Sequence, residues 1–257
     1  MFRYRVSPHI PVRGYAEEVY CSLYFIAQYA EPAVLSIVWI QVDLYGCLLK
    51  SSPAVCLDVR IIYNLGILYH FAYNCPGVMM VLVKPYSIWS GIDEELGSKL
   101  SHGTPFRRAV EEGILDPKRT VQIGIRGAQN SEEGWAFSIK SGMRVIFIEE
   151  FTKLGVEAVI AEARRFVGDG PTYISFDVDS LDPAFAPGTG TPEVGGMTPI
   201  QAQGLLRGLR GLDLIGGDVV EVSPPFDPSG ITVLVGATMM YDILCVPAYG
   251  VVQRKSQ

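Results

Sequence analysis

TYISFDVDSLDPAFAPGTGTPEVGGMTP (172–199) is the stretch that decides how this chain folds. It begins as an apolar run, ends that run in Asp177 and Asp179, and then crowds four Pro and four Gly into positions 182–199. A strand over 172–179 would send residues two apart to the same face, so the two carboxylates would leave the sheet side by side. Carboxylates that close repel unless a cation lies between them or one takes a proton. A hard divalent ion, Mn²⁺ or Mg²⁺, is the natural partner. Turn and capping chemistry alone would account for an isolated D-x-D. The long Pro/Gly loop that follows suits a shaped pocket wall instead, and it contains no G-K-[ST] that would make it a phosphate loop.

Outward from this stretch, strand and helix patterns alternate. Upstream, PFRRAVEEGILD (105–116) starts with a Pro suited to a first helical turn, and Gly113 near its end suits a helix stop. TVQIGIRG (120–127) and RVIFIEE (144–150) read as short strands. From Thr152 to Val167, the residues Val156, Val159, Ile160, Ala163 and Val167 form an apolar stripe at helical period. Downstream, Thr198 and Pro199 fit the N-cap and first position of a helix whose buried stripe is Ala202, Leu205, Leu206 and Leu209. LIGGDVVEV (214–222) is a further strand, with Glu221 near its end and Pro224 and Pro225 beyond, and ITVLVGATMMYDILCV (231–246) is a final apolar helix. This alternation predicts an α/β fold whose parallel sheet is covered on both faces, with ligands bound beyond the carboxyl ends of the strands.

Composition narrows the function. The chain has 257 residues, 49% of them hydrophobic, and a net charge of −6. That is enough for one domain with a full core and too apolar for disorder. The acidic balance argues against nucleic acid as a partner and leaves small molecules as the default. Five Cys without a C-x-x-C pair do not read as a disulfide framework, so buried free thiols in a reducing compartment are expected. AVLSIVWIQVDLYGCLL (33–49) is 17 residues long and contains Gln41 and Asp43. A bilayer needs about 20 apolar residues, and a central Asp costs roughly 2.5–3.5 kcal/mol on an insertion scale. A buried strand or core helix is expected there, with no membrane contact. No signal-peptide pattern follows Met1, so a cytoplasmic location is expected. Residues 1–90 nevertheless stand apart, since they hold 10 of the 13 Tyr but only four of the 27 Gly.

Three motifs in order, SHGTPFRRAVEEG, SFDVDSLDPAFAPGTGTPEVGGMT and GGDVVEVSPPFD, resemble the ureohydrolase family, the arginase and agmatinase relatives that release urea from guanidino compounds. The likeness runs over roughly residues 97–245. It implies a three-layer αβα sandwich with a mainly parallel sheet, and a binuclear manganese centre that turns a shared water into a nucleophile. Carried over by position, Asp177 and Asp179 correspond to the family's last pair of metal ligands. Glu221 corresponds to the carboxylate that clamps the substrate guanidinium, and His102 to the histidine that shuttles protons to the leaving amine. Glu193 and the residues around His102 look more like agmatinase or guanidinobutyrase than arginase, so a guanidinoalkyl substrate, agmatine first, is implied. The resemblance also implies a homo-oligomer.

The family's other ligand motifs, G-G-D-H and D-A-H-x-D, are absent upstream. PGVMMVLVKPYSIW (76–89) has the apolar approach of the second, but Lys84, Pro85, Tyr86, Ser87 and Ile88 stand where its ligands would be. His70 lacks the Gly-Gly-Asp context, and Asp93, Glu94 and Glu95 would need a remodelled loop. Three accounts follow: an enzyme with unusual ligands, a metal-free binding or assembly subunit, or a misread segment over residues 1–90.

Overall fold

The structure is a computed structural model that describes residues 42–44, 78–83, 93–94, 99, 104–127 and 133–255. Its centre is a six-stranded sheet built from β1 (Val42–Leu44), β2 (Val78–Val83), β3 (Leu115–Ile125), β4 (Arg144–Phe147), β5 (Pro171–Asp177) and β6 (Asp213–Val222). Every pairing is parallel and the spatial order is β1-β6-β5-β2-β3-β4. From β2 the chain steps outward through β3 to β4, whereas β5 and β6 lie on β2's other side. The crevice between the carboxyl ends of β2 and β5 is therefore the topological switch point, the usual ligand position in such sheets.

The helices are α1 (Pro105–Glu111), α2 (Glu133–Ser141), α3 (Ile148–Leu154), α4 (Val156–Val167), α5 (Pro199–Gly208) and α6 (Ile231–Lys255). One face of the sheet carries the main core. Val121, Ile123, Ile146, Ile174, Phe176 and Val219 pack there against Phe151 of α3, Val159 and Ala163 of α4, Leu205 of α5 and Met239 of α6. On the opposite face a smaller cluster joins Tyr173, Leu115 and Met143 to Ala109 of α1, with Phe106 and Phe137 against it. The result is the parallel sheet covered on both faces that the alternation of periods predicts, and the three-layer αβα arrangement that the resemblance implies.

Local chemistry sets the element ends. The cap of α5 is reciprocal: Gln201 N–H donates to the Thr198 hydroxyl at 3.4 Å, and Thr198 N–H donates to the Gln201 side chain at 2.9 Å. Its stripe of Ala202, Leu205, Leu206 and Leu209 is buried as expected. The helix expected over 152–167 is instead two, because Gly155 adopts φ 79° and breaks the hydrogen-bond ladder between α3 and α4. The strand expected over 144–150 stops at Phe147, an extended residue that serves as the N-cap of α3, so Ile148 already begins that helix. The helix read as 105–116 ends at Glu111, Gly113 turns the chain at φ 73°, and β3 starts at Leu115, five residues before the run expected from Thr120. At the other end, α6 continues past Val246 to Lys255.

The stretch 33–49 contributes a strand over Val42–Leu44, and no described helix is long and apolar enough to cross a membrane. Cys245 corrects the expectation of buried thiols, because it is free and exposed on the outer face of α6. The other four Cys lie outside the described residues.

Candidate functional site

The carboxyl edge of the sheet gathers the charged groups. β5 ends at Asp177, whose side chain accepts a hydrogen bond from the Asp179 backbone N–H at 2.8 Å. This side-chain cap diverts the chain from the ladder into a short 3₁₀ turn, Val178–Ser180. The expectation that strand alternation aligns the two carboxylates is corrected here. Asp179 lies in the turn, and it is the turn that keeps the pair adjacent.

Asp179 is 2% exposed. Its Oδ2 accepts a hydrogen bond from the Thr191 hydroxyl, while its Oδ1 is buried without a hydrogen-bond partner. Burial, then the neighbouring charges of Asp177 and Glu221, push its carboxyl up to about 10 against the opposing pull of Thr191 and Arg126. Glu221 sits near the end of β6 with φ 68°, the single non-glycine residue at positive φ among those described. Such a backbone costs on the order of 1–3 kcal/mol and is characteristic of sites where side-chain aim matters. A Cβ placed on Gly190 would be 3.8 Å from Glu221 Oε2, so the Pro/Gly loop passes beside this carboxylate.

That loop is closed at its base and pinned at its crown. Met197 N–H donates to Ser180 O at 3.0 Å and Asp182 N–H to Met197 O at 2.9 Å. The Asp182 carboxylate accepts from the N–H groups of Ala184, Gly195 and Gly196 and is held below its ordinary range by them, Ala184 foremost. Gly188 reaches the far side, accepting from Ser223 N–H at 2.7 Å and donating to the Thr232 hydroxyl at 2.8 Å.

One residue that sequence reasoning did not single out dominates this edge. Arg126, immediately after β3, is 5% exposed. Its Nη2 donates to the carbonyls of Glu193 at 2.6 Å, Asp179 at 2.7 Å and Leu181 at 3.1 Å, and its Nε to that of Val194 at 3.2 Å. A Cβ on Gly196 would lie 2.7 Å from the same Nη2 and 2.5 Å from Asp182 N, so only glycine permits this approach. The signal for Arg126 was a charge set directly behind an apolar strand at the carboxyl edge.

The structure thus brings Asp177, Asp179 and Glu221 to one edge, with the Glu193 backbone on the neighbouring loop. His102, His70, Glu95 and the segment 84–88 lie outside the described residues. Asp93 is held by Arg108 and lies 3.5 Å from Arg107, so it serves the start of α1. A partnerless buried carboxylate oxygen beside a second buried carboxylate fits one side of a divalent-cation site. Among the described residues no group of three or more His, Cys, Asp and Glu gathers to complete it. The end of β2 is the adjacent position, because Val83 pairs with Phe176, one residue before Asp177.

Comparison with known proteins identifies the family. The family model described as the arginase family matches residues 92–246. A guanidinopropionase of Pseudomonas aeruginosa is 72% identical over 148 residues, covering 58% of this chain and 46% of that protein. A guanidinobutyrase of the same organism is 54% identical over 162 residues, covering 63% and 50%. The chain therefore spans about half the length of the curated relatives it matches. Among solved structures, the proclavaminate amidino hydrolase of Streptomyces clavuligerus superposes with a TM-score of 0.67 at 36% identity, over 72% of this chain and 60% of that one. With the matched span covering the D-x-D turn, the Pro/Gly loop and the end of β6, the chain belongs to the arginase family.

Proposed function

We propose that the chain is a hydrolase of guanidinoalkyl compounds that acts with manganese, adding water to the guanidinium carbon and releasing urea and an amine. The observation that carries this reading is the buried Asp179 Oδ1, left without a hydrogen-bond partner beside Asp177 at the switch point of the sheet. Asp177 and Asp179 would hold the cation. When bound, such a cation supplies the Lewis acidity that makes a water nucleophilic near neutral pH.

The remaining roles belong to the chain itself. Glu221 accepts the paired N–H groups of a planar guanidinium, a charge-assisted geometry that fixes the orientation of its carbon. Thr191 holds the Asp179 carboxylate through its hydroxyl. The Pro/Gly loop forms a wall beside Glu221. As the C–N bond to the alkyl chain breaks, the leaving nitrogen needs a proton, and His102 is the proton-carrying side chain that the matching motif offers.

Agmatine is the substrate first suggested by the motifs. The names of the two Pseudomonas relatives support guanidino acids instead, so guanidinopropionate and guanidinobutyrate take precedence over agmatine. The test is urea release by the purified full chain with Mn²⁺ and each of the three compounds, alongside metal analysis. Turnover with bound Mn²⁺, abolished in Asp177→Ala, is the expected result. Absence of bound Mn²⁺ would overturn the proposal.

A second reading has its own observation, the lack of G-G-D-H and D-A-H-x-D motifs. Under it the chain is a non-catalytic subunit that binds no Mn²⁺ and associates with an active relative. Sedimentation of the purified chain, alone and mixed with such a relative, separates this from a self-assembling enzyme.

A further inference from the structure

Arg126 stands at the end of β3, and Asp179 stands in the turn after β5, with β2 between the two strands. Neighbouring strands lie about 4.8 Å apart, so an extended arginine is among the few side chains that can cross a strand end and still hydrogen-bond beyond it. Its guanidinium donates to the carbonyls of Asp179 and Leu181 on one side and of Glu193 and Val194 on the other. Nη1 adds a longer contact to Ser180 O at 3.4 Å. Thr191, which holds Asp179 Oδ2, lies two residues before Glu193.

We infer that Arg126 is a positioning residue for the D-x-D pair: by clamping the turn and the Pro/Gly loop to one buried guanidinium, it keeps Asp179 aimed and Thr191 within reach of it. The inference rests on the proposed function only in taking Asp179 as a cation ligand. The clamp itself is a property of the backbone hydrogen bonds. A planar fork of N–H donors suits it, and a lysine ammonium, with three donors on one atom, can satisfy only part of the set. Loss of the fork leaves buried carbonyls of the turn unsatisfied, and the turn must shift to hydrate them.

Two variants of the full chain, Arg126→Met and Arg126→Lys, test this with two measurements. The first is hydrogen exchange of the metal-free protein. The expected result is loss of protection confined to 179–181 and 193–197 in Arg126→Met, and a smaller loss in Arg126→Lys. Unchanged protection there would overturn the inference, as would a uniform loss across the sheet in both variants. The second is Mn²⁺ titration followed by electron spin resonance, where affinity is expected to weaken about 10–100-fold in Arg126→Met and less in Arg126→Lys. Equal Mn²⁺ affinity in wild type and Arg126→Met would overturn the role toward the ligand. If wild type takes up no Mn²⁺, the proposed function fails and the positioning role toward a metal ligand falls with it, while the exchange data separately decide whether the clamp exists. Should Arg126→Met not fold, Arg126→Lys alone carries both measurements, and wild-type behaviour in both would sink the inference.

Discussion

Asp179 and Asp227 are both aspartates, 2% and 4% exposed, and both follow a strand at the carboxyl edge of the same sheet. Their surroundings differ in donors. Asp227 accepts from the Ser229 hydroxyl, from Thr232 N–H at 2.6 Å and from Ser229 N–H at 3.2 Å, at the entry to α6. Those bonds, Ser229's first, hold its carboxyl down to about 2. Asp179 has one hydroxyl donor, an oxygen with none, and two carboxylates nearby, and it is pushed up to about 10. Both side chains have little access to solvent, so low exposure by itself does not decide how a carboxylate ionises. Asp179 is desolvated and faces two like charges, whereas Asp227 is met by donors, and these surroundings set the opposite directions. Asp227 is complete as a structural group, whereas Asp179 has an oxygen without a donor, the oxygen that the proposed function assigns to a cation.

The largest effect separating the two turns is expected from Asp179→Asn. Under the proposed function it removes Mn²⁺ uptake and urea release together. In the metal-free protein it also relieves a buried, repelled carboxyl group, so Tm should rise by roughly 2–4 °C for each kcal/mol relieved. Calorimetry in chelator against wild type checks this. A fall in Tm would mean that Asp179 has donors enough, and the contrast with Asp227 would collapse.

Asp227→Asn should act in the opposite sense, lowering Tm by several degrees at neutral pH, because three donors lose a charged acceptor. The pH dependence follows from the sign of the shift. A carboxyl lowered from 3.8 to about 2 contributes stability that is complete above about pH 4 and is lost as pH falls toward 2. The gap in Tm between wild type and Asp227→Asn should therefore close over that interval. A gap that stays constant down to pH 2 would show that the charge is not what stabilises the turn.

Much of this contrast was legible in the sequence, but not its cause. The D-x-D pair, the Thr198 cap and the stripes of α4 and α5 could be read because each depends on residue types at fixed spacing. The turn at Asp177 could not, because a side chain that caps its own neighbour and a strand that continues have the same apolar approach. Arg126 acts on backbone carbonyls, which carry no residue-type signal, so nothing at positions 179, 181, 193 or 194 announces it. Glu221 at positive φ breaks a local rule without leaving a sequence mark. Cys245 was misjudged because residue type favours burial, while the face of α6 decides. Ile231, Leu234 and Tyr241 share that outward face and are exposed too.

Thr191→Val probes the lone donor of Asp179. The hydroxyl contributes one hydrogen bond to a charged group, so removing it should weaken Mn²⁺ binding by about tenfold, the equivalent of about 1.4 kcal/mol. The fold should persist, since Thr191 is exposed apart from this bond. Unaltered Mn²⁺ affinity in a titration would place the ligand oxygen elsewhere.

A third carboxylate supplies the smallest effect and the control for the other two. Glu162 on α4 accepts from Arg165 at 2.8 Å and from Arg144 at 3.1 Å, and Arg165 foremost holds it below its ordinary range. It thus has donors like Asp227, but Arg165 lies largely in water, where the gain from pairing is offset by hydration and side-chain entropy. Such pairs contribute at most about 1 kcal/mol, and at roughly 2–4 °C per kcal/mol Glu162→Gln should move Tm by only a few degrees at low salt and less as salt screens the charges. If Glu162→Gln instead matched Asp227→Asn in size, donors alone would set the energy and burial would be irrelevant. If it is small, as expected, the large and opposite responses of Asp179 and Asp227 require both conditions together, a dry site and a donor set that is either complete or lacking.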